Sequence, residues 1–168
     1  KAAKKGARAH DLVAAHYFPD EHGDLSEWTE AQINEVRPNA ARIIEEIDKR
    51  GWTVIACEVA MESSSFAGTL DMVVRDRDGT ILIVALKTGK HVASDGKYQT
   101  KGRGEVVIQV GAYAWLWRLR CSEVHQSPDL FALAGAVIHA FQGEPLAVRP
   151  ISPAALVAGE QAFRHLLD

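Results

Sequence analysis

The sequence predicts an α/β fold: a central mixed β-sheet, with an antiparallel three-strand meander plus further strands, flanked by helices. Three observations predict it. Helical spacing of apolar residues fills the chain up to Gly51. Three strand-like runs then follow one another directly from Trp52 to Leu86, and a helix, one or two strands and a last helix complete the order. At 168 residues, 47% hydrophobic and 24% charged, the chain can bury the core of one domain spanning residues 1–168.

The elements follow in order. Ala2 to about Tyr17 carries Leu12, Val13 and several alanines at helical spacing, until Pro19-Asp20-Glu21-His22-Gly23-Asp24 breaks it. Ser26 or Thr29 can cap the next helical piece. Pro38 is expected at a helix start, with Ala40, Ile43, Ile44 and Ile47 as an apolar stripe ending at Gly51. The strand runs are Trp52 to about Ala60, Phe66 to Arg75 and Thr80 to Leu86; the last is apolar on both faces, as a central buried strand should be. A loop rich in Gly, Lys and Ser is expected from Thr88 to about Gly104, then a largely buried helix from about Glu105 to Arg120. Phe131 to Phe141 and Leu146 to Ile151 read as strands. Pro153 to Leu167 reads as a closing helix with proline at its start. Trp115 and Trp117 are expected in the core.

Several function classes are excluded or disfavoured. Cys57 and Cys121 cannot build a four-thiolate iron–sulfur cluster and read as core thiols. No apolar run approaches the roughly 18 residues of a membrane span, and no signal peptide is recognisable, so a cytoplasmic protein is expected. The first residue is Lys1 rather than Met, which suggests that sequence precedes it. A net charge of -3 does not announce a nucleic-acid binder, so any such function must rest on local charge.

Three charges stand inside apolar strand runs: Glu58, Asp71 and Lys87. Burying a charge costs several kcal/mol unless it is paired or bound to a metal. If Arg77-Asp78-Gly79 forms a three-residue hairpin loop with Gly79 left-handed, Asp76 lies opposite Thr80. Counting back, Asp71 then lies opposite Ala85, and strand alternation gathers Asp71, residue 85 and Lys87 on one face. Val54, Ala56 and Glu58 are expected to share a face of the neighbouring strand.

Gly68-Thr69-Leu70-Asp71, followed by Ala85-Leu86-Lys87-Thr88-Gly89-Lys90, resembles the RecB-like, phage-type exonuclease branch of the PD-(D/E)XK nucleases. Gln109 and Tyr113 match its Gln-x-x-x-Tyr motif, and Gly6-Ala7-Arg8-Ala9-His10 is similar to its first helix with a histidine metal ligand. The resemblance runs from about His10 to Tyr113. It implies a restriction-endonuclease-like core and a Mg²⁺ or Mn²⁺ site made by His10, Asp71, the residue at position 85 and the carbonyl of Leu86. It also implies a catalytic group of Asp71, Lys87, Glu58, Gln109 and Tyr113. The departure is Ala85, where the family carries Asp or Glu. An alanine there removes a carboxylate ligand, and reads first as a substitution made to trap bound substrate, second as a natural loss of catalysis.

Lys87, Lys90, Lys97, Lys101 and Arg103 place five positive charges within seventeen residues, against Asp95. Lying directly after the proposed catalytic strand, they read as a loop contacting the DNA backbone, to which Lys1, Lys4, Lys5 and Arg8 can add. The other histidines show no ligand spacing. The expected activity is metal-dependent DNA hydrolysis, as an exonuclease in recombination, repair or phage DNA processing. The alternative is a natural non-catalytic nucleic-acid-binding module of the same fold. A protein partner or homo-oligomer is left open.

Overall fold

The computed structural model describes residues 2–64, 66–88, 97–125 and 128–167, with the backbone alone for residues 2–5, 97–104 and 125. Its centre is a five-stranded mixed sheet in the order β1 (Thr53–Glu62), β2 (Ala67–Arg75), β3 (Ile81–Lys87), β4 (Ala134–His139) and β5 (Ala147–Ile151). β1, β2 and β3 form the antiparallel meander; β4 runs parallel to β3, and β5 antiparallel to β4. Helices α1 (Ala2–Tyr17), α2 (Pro19–His22) and α3 (Glu30–Arg50) precede the sheet; α4 (Lys97–Arg120) follows β3, and α5 (Pro153–Leu167) closes the chain. A π-helical turn extends α4 from Cys121 to His125, and a 3-10 turn covers Pro128 to Leu130.

The sheet separates two apolar layers. On one face Met72, Val74, Leu82, Val84, Leu86 and Ile138 pack with Val13 and Ala14 of α1 and Ala40, Ile43 and Ile47 of α3. On the other, Val73, Ile81, Ile83, Ala85 and Val137 pack with Val110, Tyr113, Ala114 and Trp117 of α4 and Leu156 of α5. β3 contributes to both layers and is buried from Ile81 to Leu86, which is why its sequence lacks alternation. The hairpin has the expected register: Gly79 has φ 85°, Asp76 N–H donates to the Thr80 carbonyl at 2.9 Å, and Arg75↔Ile81 through Met72↔Val84 pair in sequence.

Three expectations are corrected. Pro38 lies inside α3 rather than at a helix start. Thr29 and Gln32 form a capping box upstream, with Gln32 N–H donating to Thr29 Oγ1 and Thr29 N–H to Gln32 Oε1, so the helix nucleates before the proline. Burial of Val36, Ala40, Ile43 and Ile47 along the same helix offsets the roughly 3 kcal/mol that an internal proline costs. The segment from Pro19 to His22, expected to be a break, makes a short helical turn with proline at its first position. Helix α4 begins at Lys97, so half of the expected loop is helical; Gly102 and Gly104 lower helix propensity by only about 1 kcal/mol each.

α4 is held against α5 by two glycines. A Cβ on Gly111 would lie 2.3 Å from the Glu160 backbone nitrogen, and one on Gly159 would lie 2.3 Å from the Val107 carbonyl oxygen. Arg118 and Glu160 add an ion pair across the same contact. Because backbone meets backbone here, no side chain can rotate away from an added methyl. Gly111→Ala and Gly159→Ala are each expected to destabilise the protein by about 1–3 kcal/mol in urea unfolding. Gly79→Ala meets no atom within 4 Å and isolates the cost of φ 85° alone.

Candidate active site and metal centre

The residues that the sequence singles out come together at the ends of β1, β2 and β3 that face α1 and the middle of α4. The β2–β3 ladder stops at Met72↔Val84. In this register the next inter-strand bond from β3 would use the Leu86 N–H; it donates instead to Asp71 Oδ2 at 2.8 Å. The side chain of Asp71 thus stands where the two strands part. Its register position opposite Ala85 is the expected one.

Both outer strands change face at this place. Residues two apart should share a face, yet Cys57 packs in the α1/α3 layer and Val59 in the α4/α5 layer. Met72 and Leu70, their partners in β2, differ in the same way. Between them lie Glu58 and Asp71. Glu58 has φ 47°, the left-handed conformation, and is the sole non-glycine with positive φ among the described residues. The pairing also shifts between Val54 and Ala56, so Val54 packs in one layer and Ala56 in the other. The expectation that Val54, Ala56 and Glu58 share a face is therefore corrected: two irregularities in β1 turn Glu58 out of the simple alternation.

The turned carboxylates meet His10 of α1. His10 Nδ1 lies 3.3 Å from Glu58 Oε1 and 3.5 Å from Asp71 Oδ1, and all three side chains are part-buried. One ligand atom from each of His10, Glu58 and Asp71 lies within 4.8 Å of the others. Burial disfavours the charged imidazolium of His10, but the neighbouring Glu58 and Asp71 carboxylates outweigh it and raise its pKa. Burial raises the pKa of Glu58, opposed by His10 and reinforced by Asp71. Glu58 Oε1 is buried and makes no hydrogen bond. Burial, with the same two carboxylates, pushes the Cys57 thiol up to about 12, so a neutral thiol stands next to the cluster.

Lys87 and the two motif residues of α4 occupy the other side. Lys87 Nζ donates to Gln109 Oε1 at 3.0 Å. Burial raises the Tyr113 pKa, opposed by its hydrogen bond to Gln109 and reinforced by Asp71 and Glu58. A Cβ on Gly68 would stand 3.1 Å from the Tyr113 hydroxyl, so the glycine of Gly68-Thr69-Leu70-Asp71 makes room for it. Ala85 is 2% exposed and packs in the α4/α5 layer. Its methyl offers no ligand, and the cluster of candidate ligand side chains is His10, Glu58 and Asp71 among the described residues.

Two groups were not legible in the sequence. Thr88 Oγ1, next to Lys87, is buried without a hydrogen-bond partner, and a Cβ on Gly6 would lie 3.3 Å from it. Trp28 fixes the pitch of α1: its indole N–H donates to Asp11 Oδ2 at 2.8 Å, and the Arg8 guanidinium lies over its ring at 5.4 Å. Arg8 also pairs with Glu35 and is 7% exposed. This corrects its assignment as a DNA contact: its charge is spent on holding α1 to α3. Trp117 is buried, with its indole N–H on the Leu130 carbonyl, and Trp115 packs near Phe163, both as core residues. Cys57 and Cys121 are buried free thiols. Lys90 lies outside the described residues. Lys97, Lys101 and Arg103 fall on the first turns of α4, but their side chains, like those of Lys4 and Lys5 on α1, lie outside the description, as does Lys1 entirely.

Asp71 thus has a structural duty besides any chemical one. In the presence of EDTA, Asp71→Ala is expected to be less stable than Asp71→Asn by about 1–3 kcal/mol in urea unfolding, because only Asn retains an acceptor for the Leu86 N–H. Equal stability of the two variants would mean that this N–H finds another partner.

The chain matches the family model of the PD-(D/E)XK nuclease superfamily over residues 2–167. No curated protein matches it. Among solved structures, the crystal structure of SSO0001 is similar over 95% of this chain and 75% of that one, at 14% identity and a TM-score of 0.40. No helix among the described residues is long and apolar enough to cross a membrane.

Proposed function

Since the chain belongs to the PD-(D/E)XK nuclease superfamily, we propose that it is a metal-dependent deoxyribonuclease of the RecB-like kind, an exonuclease of recombination, repair or phage DNA processing, whose hydrolysis is suppressed by Ala85. The observation that carries this reading is the meeting of His10, Glu58 and Asp71 beside a lysine that Gln109 holds in place. The donor set fits a Mg²⁺ or Mn²⁺ ion: two carboxylates and an imidazole, with one carboxylate oxygen buried and unpartnered. When bound, such an ion lowers the pKa of a water and neutralises charge on the phosphate.

The protein's own residues do the rest. Asp71 is oriented by the Leu86 N–H, so one of its oxygens is fixed and the other, Oδ1, faces His10. Lys87 brings a positive charge two residues beyond position 85 on the same strand. Its hydrogen bond to Gln109 fixes the ammonium, which can then face a phosphate oxygen or take part in moving the proton of the attacking water. Gln109 positions Lys87 and also bonds Tyr113, whose hydroxyl lies over Gly68. A carboxylate at position 85 would stand on β3 between Asp71 and Lys87, and its loss takes away the group nearest both. The DNA strand is expected to be held by Lys90, Lys97, Lys101 and Arg103, which lie between Lys87 and Gln109 in the chain.

One observation favours a second reading, a binding module that has lost catalysis naturally: the Ala85 methyl is closely packed among Val73, Ile83, Tyr113 and Val137. The two readings part on substitution. Ala85→Asp or Ala85→Glu is expected to raise the rate of DNA degradation with Mg²⁺ or Mn²⁺ by about 100- to 1,000-fold, the scale on which a single group stabilising the transition state contributes. The assay is end-labelled linear DNA beside closed circular DNA, with EDTA and with Lys87→Ala added to each acidic variant as controls. Loss of linear DNA alone marks an exonuclease. If both acidic variants are folded and neither cuts DNA or RNA, the binding-module reading replaces the enzyme.

Binding should be electrostatic and local despite the net charge of -3. Replacing Lys97, Lys101 and Arg103 together by Ala is expected to weaken DNA binding and to flatten the plot of log affinity against log salt, by up to about 0.9 per phosphate contact removed. The same slope before and after would place the phosphate contacts elsewhere.

A further inference from the structure

We propose that Glu58 replaces the absent acidic residue at position 85 as a cation ligand, so that this chain binds a divalent cation as it stands, through His10, Glu58 and Asp71. The inference rests on the metal-dependent reading above and adds to it which carboxylate holds the ion.

Four observations converge on Glu58. First, it supplies the third of three ligand atoms that lie within 4.8 Å of one another, from α1, β1 and β2. Second, its Oε1 is buried and lacks a hydrogen bond, although His10 Nδ1 is 3.3 Å away. A buried carboxylate oxygen without a donor costs on the order of 1–3 kcal/mol or more, and a cation removes that cost. Third, its backbone has φ 47°, a conformation that costs a non-glycine residue about 1–3 kcal/mol and tends to occur where function demands it. Fourth, the alternation of both β1 and β2 breaks at Glu58 and its partner Asp71, and the two carboxylates lie on His10 together.

A purely structural Glu58 would leave these features opposed to one another. A surface charge would face water, but this side chain is 19% exposed. A salt bridge to His10 would need one carboxylate, but two converge on the ring. A divalent cation satisfies both carboxylates at once, with the imidazole as a neutral third donor. The donors are oxygen and nitrogen, and the neutral Cys57 thiol packs into the α1/α3 layer, so a hard or intermediate ion is selected. Histidine beside two carboxylates favours Mn²⁺ over Mg²⁺, which takes mostly oxygen ligands and keeps more of its water. Ala85 then removes a carboxylate beside Lys87 but leaves the cation its protein ligands.

The test needs no DNA. Chain stripped with EDTA and then dialysed is titrated with Mn²⁺ by calorimetry, with free Mn²⁺ counted in parallel by its electron spin resonance signal. One Mn²⁺ per chain is expected for the Ala85 protein. Glu58→Gln and Glu58→Asn are expected to weaken it by about 100-fold or more, since losing even an outer partner of a ligand costs 10- to 100-fold. Asn accepts left-handed φ better than most residues, so Glu58→Asn keeps the experiment informative if Glu58→Gln folds poorly. Mn²⁺ should raise the melting temperature of the Ala85 chain and leave both Glu58 variants unmoved. The proposal is overturned if the Ala85 chain binds no Mn²⁺, if it binds as well without the Glu58 carboxylate, or if binding appears only with Ala85→Asp. Glu58-dependent Mn²⁺ binding without DNA cleavage by the acidic variants would sink the nuclease reading and leave this one standing.

Discussion

Two carboxylates side by side in the part-buried end of a sheet are the constraint around which the rest of the molecule is arranged. Glu58 and Asp71 come from adjacent antiparallel strands, and their ligand atoms approach to within 4.8 Å. At that separation two unit charges repel by on the order of 3 kcal/mol with an effective dielectric of 20. The left-handed backbone at Glu58 adds strain of about 1–3 kcal/mol. A domain of this size has a net stability of only about 5–15 kcal/mol, so such a feature persists only when something compensates it. His10 compensates in part, by carrying a raised pKa between the two acids. A cation does so more completely.

The scaffold keeps that arrangement from relaxing. β3 is buried on both faces and cannot shift to spare Asp71 its position. α1 is tied to the segment before α3 and to α3 itself by Arg8, Asp11, Trp28 and Glu35, which fixes where His10 enters the cluster. On the far side, Gly111 and Gly159 let the α4 and α5 backbones touch, and this contact sets the height at which Gln109 and Tyr113 reach over β3 and β2. The polar groups therefore hang on three rigid elements and the strand ends between them. A site held this way keeps its geometry whether or not any single ligand is changed.

What the sequence revealed depended on local chemistry that one principle governs. Asp78-Gly79 fixed the turn, the turn fixed the register, and the register placed Asp71 opposite Ala85 with no help from the rest of the chain. The apolar run from Ile81 to Leu86 showed the central strand because only a strand buried on both faces has that composition. Alternation failed at Glu58, because a left-handed residue inside a strand leaves no mark in the identity of its neighbours. Pro38 misled because the capping box and the buried stripe of α3 outweigh a propensity that acts at one residue. Arg8 was invisible as a packing residue: its partners Trp28 and Glu35 are brought to it only when α1 and α3 pack. The basic residues between Lys90 and Arg103 remain readable from the sequence alone.

The position of the break explains why a single alanine at position 85 need not dissolve the cluster. Residue 85 belongs to β3, while the three ligand side chains come from α1, β1 and β2. β3 contributes the Leu86 N–H that orients Asp71, and that donor is backbone, which no substitution at position 85 removes. Lys87 likewise stays bonded to Gln109. Holding a cation and presenting a lysine are thus carried by separate groups, with position 85 lying between them. An acidic residue there would couple the two halves, adding a third negative charge to a site that already repels itself and therefore demanding a cation more strongly. An alanine uncouples them, leaving a site with its donors in place and a void of charge where bond cleavage would need one.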